Sequence, residues 1–482
     1  MFFLIVRKRW RWISPVLVWA MTGLGSFAQA QPAPPILPTL SFGQALSAVH
    51  SQSPQLAASH KAVESAQLRR EGMQGLGGPS VAITGMAYRY SANADVNLDS
   101  ARNALGNVLG QLPAQVVGSV GQLPQLPSNY PLQRQNSNAS ASVLALWPVY
   151  MGGLSSAVRE GLDGKTQEAQ ADAALSQDQV HSLLVQRYFT AQLAERSATL
   201  RRRALEGVRA HDNAAQRMLQ AGVIAQVERL QASAALADAL QQSHKADSDA
   251  RLARSALAHT VQAVTDVLPV TPLFVNQQPL LPLHTFQTAA LNAHPGLSKV
   301  AAKRTQAQAL HDASEALQKP QVLAFGMREV NTQGRPNWVA GMAVRWTLWD
   351  SIDRDKLAAA GQRTIEQAEL TDAQVRSDIA LLVEKNWLAV EQARTSYQAG
   401  QAQEDLAREL LRLRTAGLKE GTSTSLDLID AQLNLAKVQT ERASAANNYV
   451  QALAALLEST GQTDTFEQYM ARADIVITPD AP

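Results

Sequence analysis

One interval governs this sequence: 199 residues. Trp147 and Trp346 stand that far apart, and so do Ala169 and Ala368, Leu183 and Leu382, Gly222 and Gly421, Glu228 and Asp427, Ala232 and Ala431, and Leu236 and Leu435. A constant offset held without a gap from residue 147 to residue 236 means a duplicated unit. A second interval of 241 relates PSVAITGM (79–86) to PQVLAFGM (320–327) and Pro54 to Pro295. The two intervals differ by 42, so the first copy carries that many extra residues, in a stretch rich in Gly, Pro and Asn between about 92 and 138. Such composition predicts an inserted loop, where the second copy has only a short turn at Asn331 to Pro336.

The segments flanking that loop alternate with period two. From Trp338 to Leu348 the even positions are Trp, Ala, Met, Val, Trp and Leu, while Val339, Gly341, Ala343, Arg345 and Thr347 occupy the odd ones. One face is apolar and the other small or polar, over a length that suits a tilted strand crossing a bilayer. Gln321 to Asn331 is its partner, with Leu323, Phe325 and Met327 on one face; Val81 to Tyr90 and Ser140 to Tyr150 take the same places in the first copy. Trp147, Tyr150, Trp346 and Trp349 cluster where strands lead into the next segment, positions suited to an interfacial aromatic belt. The same alternation also suits a half-buried antiparallel sheet in a soluble protein, with Trp in its core.

Beyond each strand pair the period becomes helical. Residues from about 154 to 220 and from about 351 to 418 contain no Pro and carry apolar residues every three or four positions. A helix of that length reaches about 100 Å, too long for a compact globule and suited to a coiled-coil tube. Gly222 and Gly421 stop these helices, and second helices return from about 226 to 261 and 425 to 459. Asp350 is the expected N-cap of the second long helix, with Asp353 three residues on. Each copy is thus two strands and a long helical hairpin. Four strands cannot close a barrel, and lipid tolerates no open sheet edge, so a membrane barrel requires several chains.

The N-terminus reads as a secretory leader spanning 1–30: Arg7, Lys8, Arg9 and Arg11, an apolar run from Ile13 to Leu24, then Ala28-Gln29-Ala30. Without it the formal charge falls from +2 to about −2, which removes any argument for nucleic acid. There is no Cys, hence no disulfide, thiolate metal site, cysteine nucleophile or lipidated cysteine. No metal-ligand or catalytic motif is recognisable among the nine His and the carboxylates, so neither an enzyme nor a cofactor is expected. No apolar run after the leader is long enough for a membrane-spanning helix. The expected divisions are 1–30 leader, 31–78 helical segment, 79–153 first strand pair with loop 92–138, 154–262 first hairpin, 263–319 linker and helix, 320–350 second strand pair, 351–461 second hairpin and 462–482 tail.

With these elements in order, the chain resembles the TolC-like outer-membrane efflux proteins. The resemblance rests on the duplication, on the junctions LWPVYMGG (146–153) and WTLWDSID (346–353), and on the tips G-x4-V-E-x3-A (222–232) and G-x4-L-D-x3-A (421–431). It implies a membrane β-barrel joined to an α-helical coiled-coil barrel, closed as a homotrimer of 12 strands and 12 helices. Such a trimer is a passive exit duct in outer-membrane lipid, docked to a periplasmic adaptor (membrane fusion) protein and to an inner-membrane RND, ABC or MFS transporter. The second junction departs from the family pattern, with Thr347 for Pro and Ser351-Ile352 for Gly-Gly, which predicts a helix starting earlier there. A type I protein-secretion duct and a soluble periplasmic coiled-coil component remain alternatives.

The tip acids have two readings. Asp427 stands three residues after Thr424 and suits a capping box, whereas Asp430, one turn further on the same stripe, is poorly explained as a cap. The resemblance maps Asp427 and Asp430 onto an acidic pair at the periplasmic entrance, joined by Glu228 of the other copy. A carboxylate ring in a narrow mouth would draw cations and be blocked by multivalent ones. Some members of the family latch the closed mouth with a Tyr and an Arg flanking the second tip Gly; Leu418 and Ser423 stand at the matching positions here, so the resemblance does not carry those roles over. Gly222, Val223, Gly421, Thr422 and Ser423 at the hairpin ends are the expected adaptor contacts.

Overall fold

The computed structural model describes residues 37–110, 127–330, 337–349 and 351–477. The leader, the middle of the inserted loop, the turn at 331–336 and the expected cap Asp350 lie outside the described residues. In chain order the elements begin with β1 (Thr39–Leu40), α1 (Phe42–Gln52), α2 (Pro54–Gly72), β2 (Ser80–Asn97), α3 (Asp99–Gly110) and β3 (Asn129–Tyr150). There follow α4 (Leu154–Gln220), α5 (Gln226–Thr260), β4 (Leu268–Pro269), β5 (Leu273–Val275), α6 (Leu283–Ala293) and α7 (Pro295–Ala316). The chain continues through β6 (Gln321–Val330), β7 (Trp338–Arg345), α8 (Arg354–Glu420), α9 (Ser425–Thr460), α10 (Phe466–Ala471) and β8 (Ile475–Ile477). Strand pair, 67-residue helix and return helix thus occur twice in this order.

The long strands form one antiparallel sheet, β2-β3-β6-β7, whose outer edges at β2 and β7 have no partner strand within the described chain. Direct partners share a face, so the register places Leu323, Phe325 and Met327 beside Ala343, Gly341 and Val339. The large residues of β7, Trp338, Met342 and Val344, therefore fall on the opposite face, beside Arg328, Ala324 and Val322. Apart from Trp338 beside Arg328, large side chains stand beside small or aliphatic ones, and a Cβ on Gly341 would lie 3.1 Å from the Phe325 ring.

Three strand boundaries differ from expectation. β2 and β3 run to Asn97 and from Asn129, into what reads as a loop, because their Ser, Asn and Gln residues hide an alternation that the backbone ladder does not require. The part of 92–138 that is described is therefore largely strand at both ends, with helix α3 following the first. β7 stops at Arg345, so Trp346 and Trp349 lie beyond it, exposed. α8 begins at Arg354, not earlier: the Asp353 carboxylate accepts the Lys356 N–H at 3.0 Å, which holds Asp353 extended (φ −77°, ψ 93°) outside the first turn.

The first junction works differently. Gly152 has φ +69°, and a Cβ there would stand 2.3 Å from the Ala316 carbonyl oxygen, so only glycine lets the strand end pass this close to α7. Nearest the sheet, α2, α4, α7 and α8 lie side by side, tied by the pairs Arg70 with Asp163, Lys299 with Asp172 (2.7 Å) and Arg304 with Glu369 (2.6 Å). Further away α5, α4, α9 and α8 take over. Buried positions recur every seven residues: Ala232, Ala239 and Ala246 on α5, Ala302, Ala309 and Ala316 on α7, and Ile429, Ala436, Ala443, Val450 and Leu457 on α9. A sustained seven-residue seam makes helices supercoil left-handedly, and alanine on the seam lets them approach closely.

Midway along the helices sits the main core. Phe42, Tyr188, Phe189, Phe274 and Phe466 are buried and touch one another, with ring centroids 5.3 Å apart for Phe42–Phe466 and 5.8 Å for Phe274–Phe466. Each buried ring contributes about 1.5–3 kcal/mol by area alone. The short strands gather here: β1 pairs with β4 and β5 with β8, so the start of the described chain, the linker and the tail meet around one waist. Tyr188 fastens it, its hydroxyl donating to Leu40 O at 2.7 Å and accepting from Val270 N at 3.1 Å and Thr271 N at 2.8 Å.

Candidate functional site

Both hairpin tips are built by the same local rule. At the first, Val223 N bonds to Met218 O and Gly222 N to Leu219 O, both at 2.9 Å; at the second, Thr422 N bonds to Gly417 O at 2.8 Å and Gly421 N to Leu418 O at 3.4 Å. This six-to-one and four-to-one closure needs a left-handed residue, supplied by Gly222 (φ +72°) and Gly421 (φ +76°). Behind the tips, Val208 of α4 and Ile429 of α9 are buried with Ala215 and Ala232, which joins the two hairpins side by side.

The tips differ in their caps. Thr424 and Asp427 form a capping box: Asp427 N donates to Thr424 Oγ1 at 3.1 Å, and the Asp427 carboxylate accepts from Thr424 N at 2.9 Å and from its hydroxyl at 2.8 Å. Those bonds, first from the backbone and then from the hydroxyl, hold the Asp427 carboxyl below the usual carboxylate range, and the Arg414 charge adds to the effect. Arg414 Nη1 lies 3.9 Å from Asp427 Oδ1. The sequence reading missed this arginine because it sits on α8, thirteen residues before Asp427. The signal was available: Arg414 and Asp427 are seven and six residues either side of Gly421, so the hairpin folds them to one level.

Asp430 and Glu228 are exposed and have no hydrogen-bond or ion-pair partner among the described residues. In the first tip Ala225 stands at the cap and makes no side-chain cap bond, so Glu228 is left out of any box. A second missed pair lies nearby: Arg229 Nη1 meets the buried Asp212 Oδ1 at 2.6 Å and locks α5 to α4. Of the expected docking residues, Val223 is exposed, whereas Thr422 turns its hydroxyl to the Gly417 carbonyl at 3.3 Å and so serves the helix end. Ser423 N also bonds to that carbonyl, at 3.2 Å.

Higher in the second hairpin, buried Glu404 is a hub. It accepts from Arg442 at 2.6 Å, Arg408 at 2.5 Å and Gln439 at 3.2 Å, while the Arg442 guanidinium lies 4.6 Å from the Tyr397 ring centre. Burial pushes the Glu404 carboxyl up, but the bonds from Arg442 and Gln439 and the two arginine charges overcome it and leave it below its ordinary value. At the sheet end nearest the helices, Trp147, Tyr150, Trp346 and Trp349 are all exposed. Among the described residues no group of three or more His, Cys, Asp or Glu could hold a metal ion, and no helix is long and apolar enough to cross a membrane.

The profile of the outer membrane efflux protein family matches residues 288–462, which run from α6 through the second strand pair and the second hairpin. Over those residues the chain matches that family, in line with its resemblance to the TolC-like outer-membrane efflux proteins. Among relatives, the chain is 22% identical over 351 residues to the cobalt-zinc-cadmium resistance protein CzcC of Cupriavidus metallidurans, which covers 72% of this chain and 82% of that protein. Its fold is that of the Campylobacter jejuni CmeC outer membrane channel (TM-score 0.69, 13% identity, 90% of each chain). It is equally that of the open state of the Neisseria gonorrhoeae MtrE outer membrane channel (TM-score 0.68, 17% identity, 87% of this chain and 88% of that one).

Proposed function

We propose that this protein is the outer-membrane exit duct of a tripartite efflux system. The carrying observation is a four-stranded sheet with two open edges that runs directly into two 67-residue helices. Open edges cannot persist in lipid, so β2 of one copy pairs with β7 of the next, and three copies of a duplicated unit close a 12-strand barrel and a 12-helix tube. The exposed Trp147, Tyr150, Trp346 and Trp349 then sit at the periplasmic lipid interface. The tips face the periplasm, where Val223 and Ser423 meet an adaptor that couples the duct to an inner-membrane pump. The duct itself conducts passively.

At the tips the acids divide their work. Asp427 holds the start of α9 and is paired with Arg414, while Asp430 and Glu228, without partners among the described residues, supply the field at the mouth. An acidic mouth concentrates cations, and the similarity to a protein named for cobalt, zinc and cadmium resistance favours a small cationic cargo over a polypeptide. Planar-bilayer conductance tests the assignment. Asp430→Asn, which removes a charge without touching the cap, reduces cation preference and weakens divalent block, and adding Asp427→Asn reduces them further. A double variant with unchanged selectivity and block would remove the acids from the gate.

A further inference from the structure

The β2–β3 hairpin is far longer than the sheet that carries it. Among the described residues, pairing of β3 with β6 ends at Ala141 opposite Val330, yet β2 and β3 continue as a two-stranded ribbon from Met86 opposite Ser140 to Asn97 opposite Asn129. At about 3.4 Å per residue these twelve pairs extend roughly 40 Å. The segment below, Ala141 to Tyr150, covers about 25 Å of membrane normal at a tilt of about 40°, which already spans the apolar band of an outer membrane. The ribbon therefore stands clear of lipid.

Its outer face is polar where that of the sheet is largely apolar. In the sheet, one face holds Val81, Ile83, Trp147, Met342 and Val344, with Arg328 at its far end, and forms the exterior of a barrel, while the other mixes Ser80, Thr84, Ser142, Glu329 and Arg345 with Leu144, Leu146, Leu323, Phe325 and Met327. Followed up β2 without a bulge, the exterior face becomes Arg89, Ser91, Asn93 and Asp95, opposite Ser137, Gln135, Gln133 and Pro131. The interior face becomes Tyr88, Tyr90 and Val96, with Leu132 and Tyr130 from β3, alongside Asn136 and Arg134. The three tyrosines, Val96 and Leu132 are between 37 and 54% exposed, and the Tyr88 and Tyr90 rings stack at 6.2 Å. Water on the outside accounts for the polar face; an aromatic face in water needs a cover.

We infer that this cover is the same face of the other two copies: three ribbons converge over the outer mouth of the barrel as an aromatic collar. The inference rests on the proposed trimeric duct, because closing the open β2 edge against a neighbour turns this face toward the common axis, in continuity with the interior of the sheet. Collar and tip are then two separate constrictions, at opposite ends of one passage.

The chain has no native cysteine, so single-cysteine probes read the ribbon cleanly. In intact cells producing the full-length protein, Tyr90→Cys reacts with a bulky membrane-impermeant maleimide at least tenfold more slowly than Ser91→Cys, and a short bismaleimide links it into chain dimers, whereas Ser91→Cys gives none. Val96→Cys repeats the measurement should loss of the Tyr90 ring loosen the collar. Equal labelling at 90, 91 and 96 without inter-chain product would overturn the collar alone. Protection without inter-chain product would give the face to a different partner and overturn it too. Ser91→Cys labelled only after the outer membrane is permeabilised would instead overturn the duct's placement on which the inference rests.

Discussion

Replacing Tyr188 by Phe removes one oxygen from the waist and nothing else. The ring keeps its place against Phe42 and Phe189, at 5.5 and 5.2 Å between centroids. The lost hydroxyl leaves Thr271 N without its acceptor, while Val270 N and Leu40 O keep their own bond at 3.1 Å, around a fully buried side chain. A buried group left unpaired costs about 1–3 kcal/mol, and the Thr271 N–H is that group. At about 1.4 kcal/mol per decade, that range corresponds to a loss of amide protection of roughly 5-fold to 150-fold. Hydrogen exchange followed by mass spectrometry on the detergent-solubilised protein reads it directly. Peptides covering 268–275 and 37–42 exchange faster in Tyr188→Phe, while peptides from the hairpin tips do not change. Unaltered exchange at 268–275 would refute the claim that this hydroxyl joins the start of the chain to the linker.

Two further outcomes follow from the helices. Glu404→Gln leaves Arg442 and Arg408 without their carboxylate and costs about 3 kcal/mol, seen as faster exchange along α8 and α9 near neutral pH. Because the folded Glu404 carboxyl titrates below its ordinary 4.5, the stability it contributes is complete above 4.5 and lost as pH falls through the folded value; wild type and Glu404→Gln therefore converge in acid. Gly164→Val forces a branched side chain where even a Cβ stands 3.1 Å from the Ala302 carbonyl oxygen, and it separates α4 from α7. A thermal midpoint lowered by several degrees checks it, with Gly106→Val on α3, where a Cβ meets nothing within 4 Å, as the neutral control.

The helices were the most legible part of the chain. The end of α4 at Gln220 and the starts of both return helices agree with the reading from Gly222, Gly421 and the absence of Pro, because local rules decide helix ends. The Asp427 cap was legible for the same reason. What sequence hid was made by distance or by backbone alone. Strands of two or three residues such as β4 and β8 carry no period, so the waist emerges only when residues far apart along the chain meet. The ribbon reads as a loop because its polar alternation lacks the apolar signature of a half-buried strand. Asp353 displaced the expected Asp350 as cap because a single carboxylate-to-N–H bond fixes where the first turn starts.

The equal length of α4 and α8 acts as a ruler. Both descend from one sheet and both turn back after 67 residues, so their two tips come to one level, like table legs cut together. A seven-residue insertion in one arm alone would keep its seam in phase yet drop that tip about 10 Å below the other. The mouth would then be ragged, with Glu228 and the Asp427–Asp430 pair at different depths, and a flat-faced partner could touch only half of it. Length changes in these arms are therefore tolerable in concert and damaging singly, a constraint on the family's drift that no single side chain records.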